Sequence, residues 1–303
     1  MKIDTEKLLA TLELLSEPLQ VYDEEIGGSY TTFYWDSSIK GEFNLWNLMI
    51  DEKYIQPISP EIVISQWVID EWLHPIVPVD KYSPTNKANN FLDIDSRVKR
   101  YKIFQKLYSL LNLNLEKFEA VNFINWLDIL IGKISNDSWL VISPNAPQIQ
   151  DFPFWINCCK FEKEKYHSKQ TTPLQSTLKE VLKTLTPLKL FIRYQRQEFP
   201  FDYYYSYAFA KTKTEAFIQA LSKTKIVQAK QFISLSSDYQ QYFYNDDKRR
   251  KTIYVLNQFF QQKVSNLSVY YFTKYDNDYT YIIGETPEKD WLGVKISRSY
   301  RYY

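Results

Sequence analysis

The sequence has few of the residues that mark several common protein classes. Its 303 residues include only 6 glycines, 2 cysteines and 2 histidines, and the formal net charge at pH 7 is +1. A chain with this charge balance has no global field that would attract nucleic acid or an anionic membrane. No apolar run reaches the roughly 18 residues of a membrane span, and the first residues lack the apolar core of a secretory signal. We therefore expect a cytoplasmic protein without a membrane partner.

The two cysteines, Cys158 and Cys159, are adjacent in the sequence. Neighbouring residues cannot form an ordinary disulfide because the required geometry is strained. A reactive or metal-binding pair stays open as an alternative, although no second cluster of cysteine or histidine completes a metal site. We predict two thiols packed in a connecting segment, with no metal and no cofactor.

Signatures of enzymes are also scarce. His74 and His167 fall in a predicted insertion and a predicted linker, and no nucleophile elbow, zinc-protease, phosphate-loop or dinucleotide-binding motif is present. A carboxylate pair such as Asp93 with Asp95 could carry out acid–base chemistry without histidine. This pair lies at a predicted helix start, where capping explains it. We predict a protein without catalytic activity.

Aromatic residues, in contrast, are abundant. They make up 17% of the chain and include 25 tyrosines and 19 phenylalanines, within a hydrophobic fraction of 45%. That hydrophobic fraction is ordinary for a globular protein and suffices for a packed core. Tyrosine and tryptophan also supply large contact areas at low entropic cost, which suits interaction surfaces. Composition alone therefore favours a globular protein that binds other molecules.

The strongest organisational signal is a repeat of four elements in the same order. Each copy opens with leucines at helical spacing, a proline and an alternating apolar run, which predict a helix that leads into a strand. An aromatic second strand, a helix that begins with an acid, and a closing strand follow in each copy. The matched segments are residues 8–22 with 178–191, 30–35 with 203–209, 95–107 with 247–259, and 139–144 with 281–287.

This repeat predicts two domains, residues 1–165 and residues 173–303, joined by a short charged linker. The segment 46–90 has no counterpart in the second copy, and we interpret it as an insertion that is helical near residues 62–73. Apolar residues around Ile156 are predicted to form the last strand of the first domain.

Residues 243–296 resemble the C-terminal half of the nuclease A inhibitor family. The marks are an aromatic start followed by acids, an amphipathic helix, a strand, and the string Tyr281 to Pro287 (YIIGETP) with Leu292, Gly293 and Val294 downstream. Residues 178–201 fit the family's opening helix, first strand and entry into the second strand. The first copy resembles the family at the repeated elements only. The resemblance implies an α+β fold with two tandem three-layer α/β/α sandwich domains of nuclease-A-inhibitor type.

The resemblance also implies inhibition of a metal-dependent, non-specific endonuclease by plugging its active site. Such a cleft is basic and holds a hard cation that prefers oxygen ligands, so carboxylates on a rigid protrusion mimic the phosphodiester. The family is expected to use a Glu on the loop after its first strand together with its C-terminal end. In this sequence the corresponding residues are Asp23, Glu24 and Glu25, of which Glu24 matches best, and the terminal Tyr302 and Tyr303.

Two alternatives stay open. The matching loop of the second copy, residues 193–198, carries arginine and glutamine where the family has an acid. Nuclease inhibition could therefore be lost, leaving a structural or regulatory scaffold that associates through the aromatic insertion from Trp46 to Trp72. Arg249 and Arg250, with tyrosines just upstream, could instead contact nucleic acid, and Arg97, Lys99 and Arg100 occupy the matching place in the first copy. The solvated face of an amphipathic helix is the favoured explanation of both groups. Arg298 and Arg301, with nearby tyrosines, form a second small basic and aromatic patch towards the C-terminal end. A protein partner is the leading hypothesis, and nucleic acid is the weaker one.

Overall fold

A computed structural model describes residues 3–19, 21–22, 26–73, 91–135, 137–145, 153, 156–159, 172–185, 187–194, 197–235, 247–274 and 277–300. The helices are α1 (Ile3–Ser16), α2 (Ser37–Lys40), α3 (Leu45–Asp51), α4 (Pro60–Leu73), α5 (Ile94–Asn114), α6 (Thr172–Thr184), α7 (Lys213–Lys223) and α8 (Asp247–Lys263). The strands are β1 (Val21–Tyr22), β2 (Ile26–Trp35), β3 (Ile55–Ile58), β4 (Lys117–Phe123), β5 (Leu127–Ser135), β6 (Ser138–Pro144), β7 (Ile156–Cys159), β8 (Leu188–Tyr194), β9 (Gln197–Tyr203), β10 (Tyr205–Ala210), β11 (Val227–Leu235), β12 (Ser265–Lys274), β13 (Asn277–Glu285) and β14 (Trp291–Tyr300).

Helices and antiparallel strands are mixed along the chain, which agrees with the predicted α+β class. The helix predicted near residues 62–73 is confirmed as part of α4. Among the helices that the structure describes, none combines the length and the apolar character of a membrane-spanning segment.

The chain forms two compact units, and neither is continuous in sequence. The first unit contains Met1–Leu48, Gln148–Lys163 and Lys225–Tyr303, and the second contains Met49–Pro147 and Glu164–Thr224. This division differs from the predicted domains 1–165 and 173–303. The physical reason is that strand pairing between distant segments decides the units, whereas periodicity along the sequence reveals a strand but not its partner.

The first unit is built on a seven-stranded antiparallel sheet with the strand order β1-β2-β14-β13-β12-β11-β7. β2 pairs with β14 along its full length, from Ile26 opposite Tyr300 to Trp35 opposite Trp291. β7, which was predicted to close the first domain, instead pairs with β11 at the far edge of this sheet.

Both faces of this sheet are packed. α1 and α8 contact each other, and α1 lies against β2 and β14. Their core includes Leu12 and Phe260, which are fully buried among strand residues such as Ile282. Side chains alternate between the faces of a strand, so Phe33 of β2 lies on the other face. Its ring contacts the rings of Phe43 and of Tyr281, with centroids 6.2 and 5.8 Å apart respectively.

The second unit contains a five-stranded antiparallel sheet of order β10-β6-β5-β4-β3 and a separate hairpin, β8-β9. Residues of α4, α5 and α6 form one buried core with strand residues on one face. α7 packs on the opposite face, where the Ser206 hydroxyl donates a hydrogen bond to the Ala220 carbonyl at 3.0 Å. The ring of Phe217 in α7 also meets that of Phe123 at 5.7 Å. Helices therefore cover both faces of this sheet.

Local signals explain where the main helices begin. Asp93 caps α5 by accepting a hydrogen bond from the Ser96 amide at 2.8 Å, as the capping interpretation of this acid predicted. These hydrogen bonds from Ser96 lower the pKa of Asp93. α7 begins with a capping box, in which Thr212 and Glu215 satisfy each other's backbone amides.

Candidate partner-binding end of the seven-stranded sheet

One end of the seven-stranded sheet contains the strand ends that lead into the segments the resemblance associates with binding. β1 pairs with β2 in antiparallel fashion through Val21 opposite Gly28 and Tyr22 opposite Gly27, as the predicted pairing of the first two strands requires. Gly27 and Gly28 belong to β2, because they also pair with Ser299 and Arg298 of β14.

The C-terminal end of β14 lies beside the start of β2. Ile26, the first residue of β2, is opposite Tyr300, the last residue of β14. The chain therefore enters β2 from the acidic segment and leaves β14 towards the C-terminus at the same end of the sheet. The sequence placed these two segments about 275 residues apart, and the antiparallel pairing of β2 with β14 brings their attachment points together.

A buried ion pair fixes this end of the sheet. Arg298 of β14 and Asp278 of β13 are directly opposite each other. The Arg298 Nε donates to Asp278 Oδ1 at 2.8 Å, and its Nη2 donates to the second carboxylate oxygen. Both side chains are buried, with 5% and 0% of their surfaces exposed. The Tyr271 hydroxyl donates to the same carboxylate at 3.4 Å, and burial, then the Asp278 charge, raise the pKa of Tyr271.

The ion pair also decides which charges are available to a partner. Arg298 belongs to the basic and aromatic C-terminal patch that the sequence offered for phosphate contact. Because its guanidinium is buried against Asp278, it is neutralised inside the protein. That part of the nucleic-acid interpretation is wrong.

The predicted site residues are described to different degrees. Asp23, Glu24, Glu25, Tyr302 and Tyr303 lie outside the described residues. Arg249 lies in α8, but its side chain is not among those described, whereas Arg250 is exposed on the same helix. The structure thus describes the strands that lead into the candidate binding segments rather than the segments themselves.

In the second unit, the corresponding hairpin is longer. β8 and β9 pair from Leu188 opposite Tyr203 to Tyr194 opposite Gln197. Asn145, just after β6, holds this hairpin by accepting a hydrogen bond from the Tyr204 amide at 2.8 Å. The turn at 195–196, which was compared with the acidic loop, lies outside the described residues.

Basic residues of α5 were the predicted counterparts of Arg249 and Arg250. Arg100 is buried and forms a two-pronged ion pair with Glu71, with N–O distances of 2.6 and 2.7 Å. Arg97 packs over the ring of Trp72, with the guanidinium carbon 5.8 Å from the ring centroid. The predicted solvated basic face is therefore wrong at Arg100, whose carboxylate partner lies on α4.

The aromatic insertion offers less contact surface than the scaffold alternative assumed. Trp67 is fully buried, and its indole N–H donates to the Asp128 carbonyl at 3.0 Å. Its ring lies 4.9 Å from that of Tyr205. Trp46 and Trp72 are partly exposed. Trp67 thus serves the core of the second unit rather than an interface.

The loop that directly follows the string Tyr281 to Pro287 forms polar contacts with the N-terminal segment. The Glu288 carboxylate accepts from the amide and the hydroxyl of Thr5, at 3.1 and 2.7 Å, near the start of α1. Asp290 accepts from the Ser37 amide at 3.1 Å, at the start of α2. Carboxylates at helix N-termini are favourable. These acids therefore hold the N-terminal segment to the loop between β13 and β14.

The described residues include no group of three or more His, Cys, Asp or Glu arranged to hold a metal ion. Cys158 and Cys159 are free and lie in β7, where Cys158 is half-buried and Cys159 is exposed. Burial raises the pKa of the Cys158 thiol to about 12, which disfavours a reactive thiolate at this residue. His74 and His167 lie outside the described residues.

Comparison of the chain with known protein families, with characterised proteins and with solved structures gave no match. The resemblance to the nuclease A inhibitor family therefore rests on the sequence marks given above.

Proposed function

We propose that this chain is a non-catalytic protein-binding protein of nuclease-A-inhibitor type, and that its partner is a metal-dependent, non-specific endonuclease. The observation that carries the proposal is the pairing of Ile26 with Tyr300. It joins the bases of the two segments that such an inhibitor is expected to use, the acidic loop and the C-terminal end. Helices on both faces of the five-stranded sheet support α/β/α sandwich units.

The physical basis is substrate mimicry. Asp23, Glu24 and Glu25 supply three adjacent carboxylates at the end of a hairpin whose strands are paired at its base. A basic cleft with a divalent cation favours oxygen ligands of this kind. The buried pair of Arg298 and Asp278 adds no net charge at this end, so Arg298 does not offset the charge of the acids. A rigid sheet behind a charged loop also lowers the entropic loss on binding.

The test is inhibition of a metal-dependent, non-specific endonuclease by the full chain, measured as cleavage of a fluorescent duplex. We expect Glu24→Gln combined with Glu25→Gln to weaken inhibition at least about tenfold, because each removes a charge-assisted contact. The matched control, Glu6→Gln with Glu42→Gln, removes the same charge from exposed residues of the same unit and is expected to inhibit like the parent. Absence of inhibition by the parent chain at micromolar concentration refutes the nuclease assignment.

A second experiment tests whether the two segments act together. Removal of Tyr302 and Tyr303 is expected to weaken inhibition, and its effect should not add to that of the Glu24 and Glu25 substitutions. Groups that contact one partner side by side give non-additive losses, whereas independent sites give additive ones. Additive losses would therefore contradict a joint site.

The scaffold alternative predicts stable association with another protein and no effect on any nuclease. Its support is the apolar stripe of α4, where Ile69 and Leu73 are exposed at 42% and 68%. Capture of a partner that is lost with Leu73→Ser, but kept with Glu24→Gln and Glu25→Gln, would favour it over nuclease inhibition.

A further inference from the structure

The two sheets share one pairing plan. In the first unit, Gly284 of β13 is opposite Leu292 of β14, and Leu292 is opposite Tyr34 of β2. In the second unit, Gly132 of β5 is opposite Leu140 of β6, and Leu140 is opposite Phe209 of β10. The remaining strands follow the same plan, with β12 matching β4 and β11 matching β3.

The connections between elements match as well. α3 and α7 each end shortly before a lysine with positive φ, 59° at Lys53 and 60° at Lys225. The carbonyl of the next residue in each case accepts a hydrogen bond from an amide at the end of the neighbouring strand. Tyr54 accepts from Ile124, directly after β4, and Ile226 accepts from Thr273, the next-to-last residue of β12. A left-handed lysine is uncommon, so its recurrence at the same junction is specific.

Buried positions of the helices also correspond. α8 packs with α1 and α5 packs with α6. The matched buried pairs are Leu107 with Leu256, Leu111 with Phe260, Leu45 with Phe217, Leu48 with Ala220 and Met49 with Leu221. The sequence match had aligned residues 95–107 of α5 with 247–259 of α8. The buried residues show that the true alignment of these two helices differs from it by three residues, about one helical turn. The strand Trp139–Pro144 likewise corresponds to β14 rather than to Tyr281–Pro287.

We propose that the chain is a duplicated module whose two copies have exchanged their N-terminal halves. The exchange point is the junction before β3 in the first copy and before β11 in the second. Residues 1–48 complete the sheet of the second copy's C-terminal half, and residues 164–224 complete that of the first copy's C-terminal half. The pairing of β2 with β14 and of β10 with β6 forms the two exchanged seams.

Side-chain size selects the exchanged arrangement over pairing within each copy. Phe33 of β2 is opposite Gly293, and at the matching position of the other seam Ala208 is opposite Val141. Each seam therefore combines one large and one small residue. Pairing within copies would place Phe33 against Val141, which is too large for the space, and Ala208 against Gly293, which leaves the space partly empty. Both changes destabilise a packed layer.

The exchange also explains why the features that resemble the nuclease A inhibitor family are divided between the two copies. The acidic segment belongs to the first copy and the C-terminal end to the second, yet β2 and β14 unite them in one unit. A binding site that needs both segments is thus complete in the first unit only. This step rests on the proposed function, whereas the exchange itself rests on the strand pairing.

Disulfide trapping in the full chain tests the exchange, in a background with Cys158→Ser and Cys159→Ser. Thr31 is opposite Lys295, and Ser206 is opposite Ser143. Cysteines at directly opposite positions are close enough to cross-link. Four double variants are needed: Thr31→Cys with Lys295→Cys and Ser143→Cys with Ser206→Cys across the exchanged seams, and the within-copy combinations Thr31→Cys with Ser143→Cys and Ser206→Cys with Lys295→Cys.

After refolding and oxidation, we expect the exchanged pairs to form intramolecular disulfides in at least roughly tenfold higher yield than the within-copy pairs. Comparable yields overturn the proposal, as does cross-linking of the exchanged pairs only between separate chains. The change from serine to cysteine at residues 143 and 206 is nearly isosteric, so that pair stays informative if another variant does not fold.

A second measurement tests the selection by size. Phe33→Ala combined with Ala208→Phe reverses the complementarity of the seams, making the within-copy arrangement the better packed one. We expect the ratio of exchanged to within-copy disulfides to fall about tenfold. An unchanged ratio contradicts locking by these residues and overturns that part of the proposal.

Discussion

The ion pair between Glu71 and Arg100 gives the sharpest prediction for stability. The Glu71 side chain is completely buried and that of Arg100 is 8% exposed. The carboxylate also accepts from the Tyr205 hydroxyl at 3.0 Å. Glu71→Gln leaves the guanidinium buried without a counter-charge, and such losses amount to about 3–5 kcal/mol. For a unit of this size, that free energy corresponds to a fall of roughly 6–20 °C in the melting temperature.

Urea and thermal unfolding followed by circular dichroism measure this effect. Glu71→Met combined with Arg100→Met removes both charges and is expected to destabilise less than either single substitution, since a buried pair and an apolar replacement nearly balance. Lys99→Met, on the same helix but exposed, is the control and should change stability by less than about 0.5 kcal/mol. A loss of stability below about 1 kcal/mol for Glu71→Gln, or a double variant in which the two single losses add, would contradict this prediction.

Three further predictions concern stability. Burial raises the pKa of Asp128. The folded state therefore binds the carboxyl proton more tightly than the unfolded state, and it loses stability as the pH rises above about 3.9. Asp128→Asn should raise the urea midpoint at about pH 7 but not at about pH 3. Lys53→Gly and Lys225→Gly should each stabilise by roughly 0.5–1 kcal/mol in thermal unfolding, because glycine relieves the positive φ; a loss would contradict this. Gly132→Ala should destabilise by about 1–3 kcal/mol, since a Cβ there meets the side chain of Leu115; an unchanged urea midpoint would count against that packing.

Local sequence patterns predicted several elements of the fold correctly. Leucine spacing indicated α1 and α6, and the acid at its start indicated α5. α7 and β11 were not predicted, although Thr212 and Glu215 form a capping signature that sequence inspection can find. The division into units could not be predicted, because alternating apolar and polar residues indicate a strand but do not indicate which strand it pairs with.

The burial and the partners of the charged residues could not be predicted from the sequence for the same reason. Arg100 was interpreted as part of a solvated helix face and Arg298 as part of a basic and aromatic patch, yet both side chains are buried. Their partners decide otherwise, and Glu71 lies 29 positions from Arg100. The family resemblance likewise implied that the acidic segment and the C-terminal end act together, and the pairing of β2 with β14 places the strand ends that lead into them side by side.

The pairing of β2 with β14 has a consequence for synthesis on the ribosome. The aromatic segment from Ile26 to Trp35 is made well before its partner strand, since the opposite residues Thr31 and Lys295 are 264 positions apart. At about 5–20 residues per second, translation keeps β2 waiting for tens of seconds. A nascent β-rich segment with an unsatisfied edge invites association with other chains. Production of this protein should therefore depend on chaperone capacity more than its finished stability suggests.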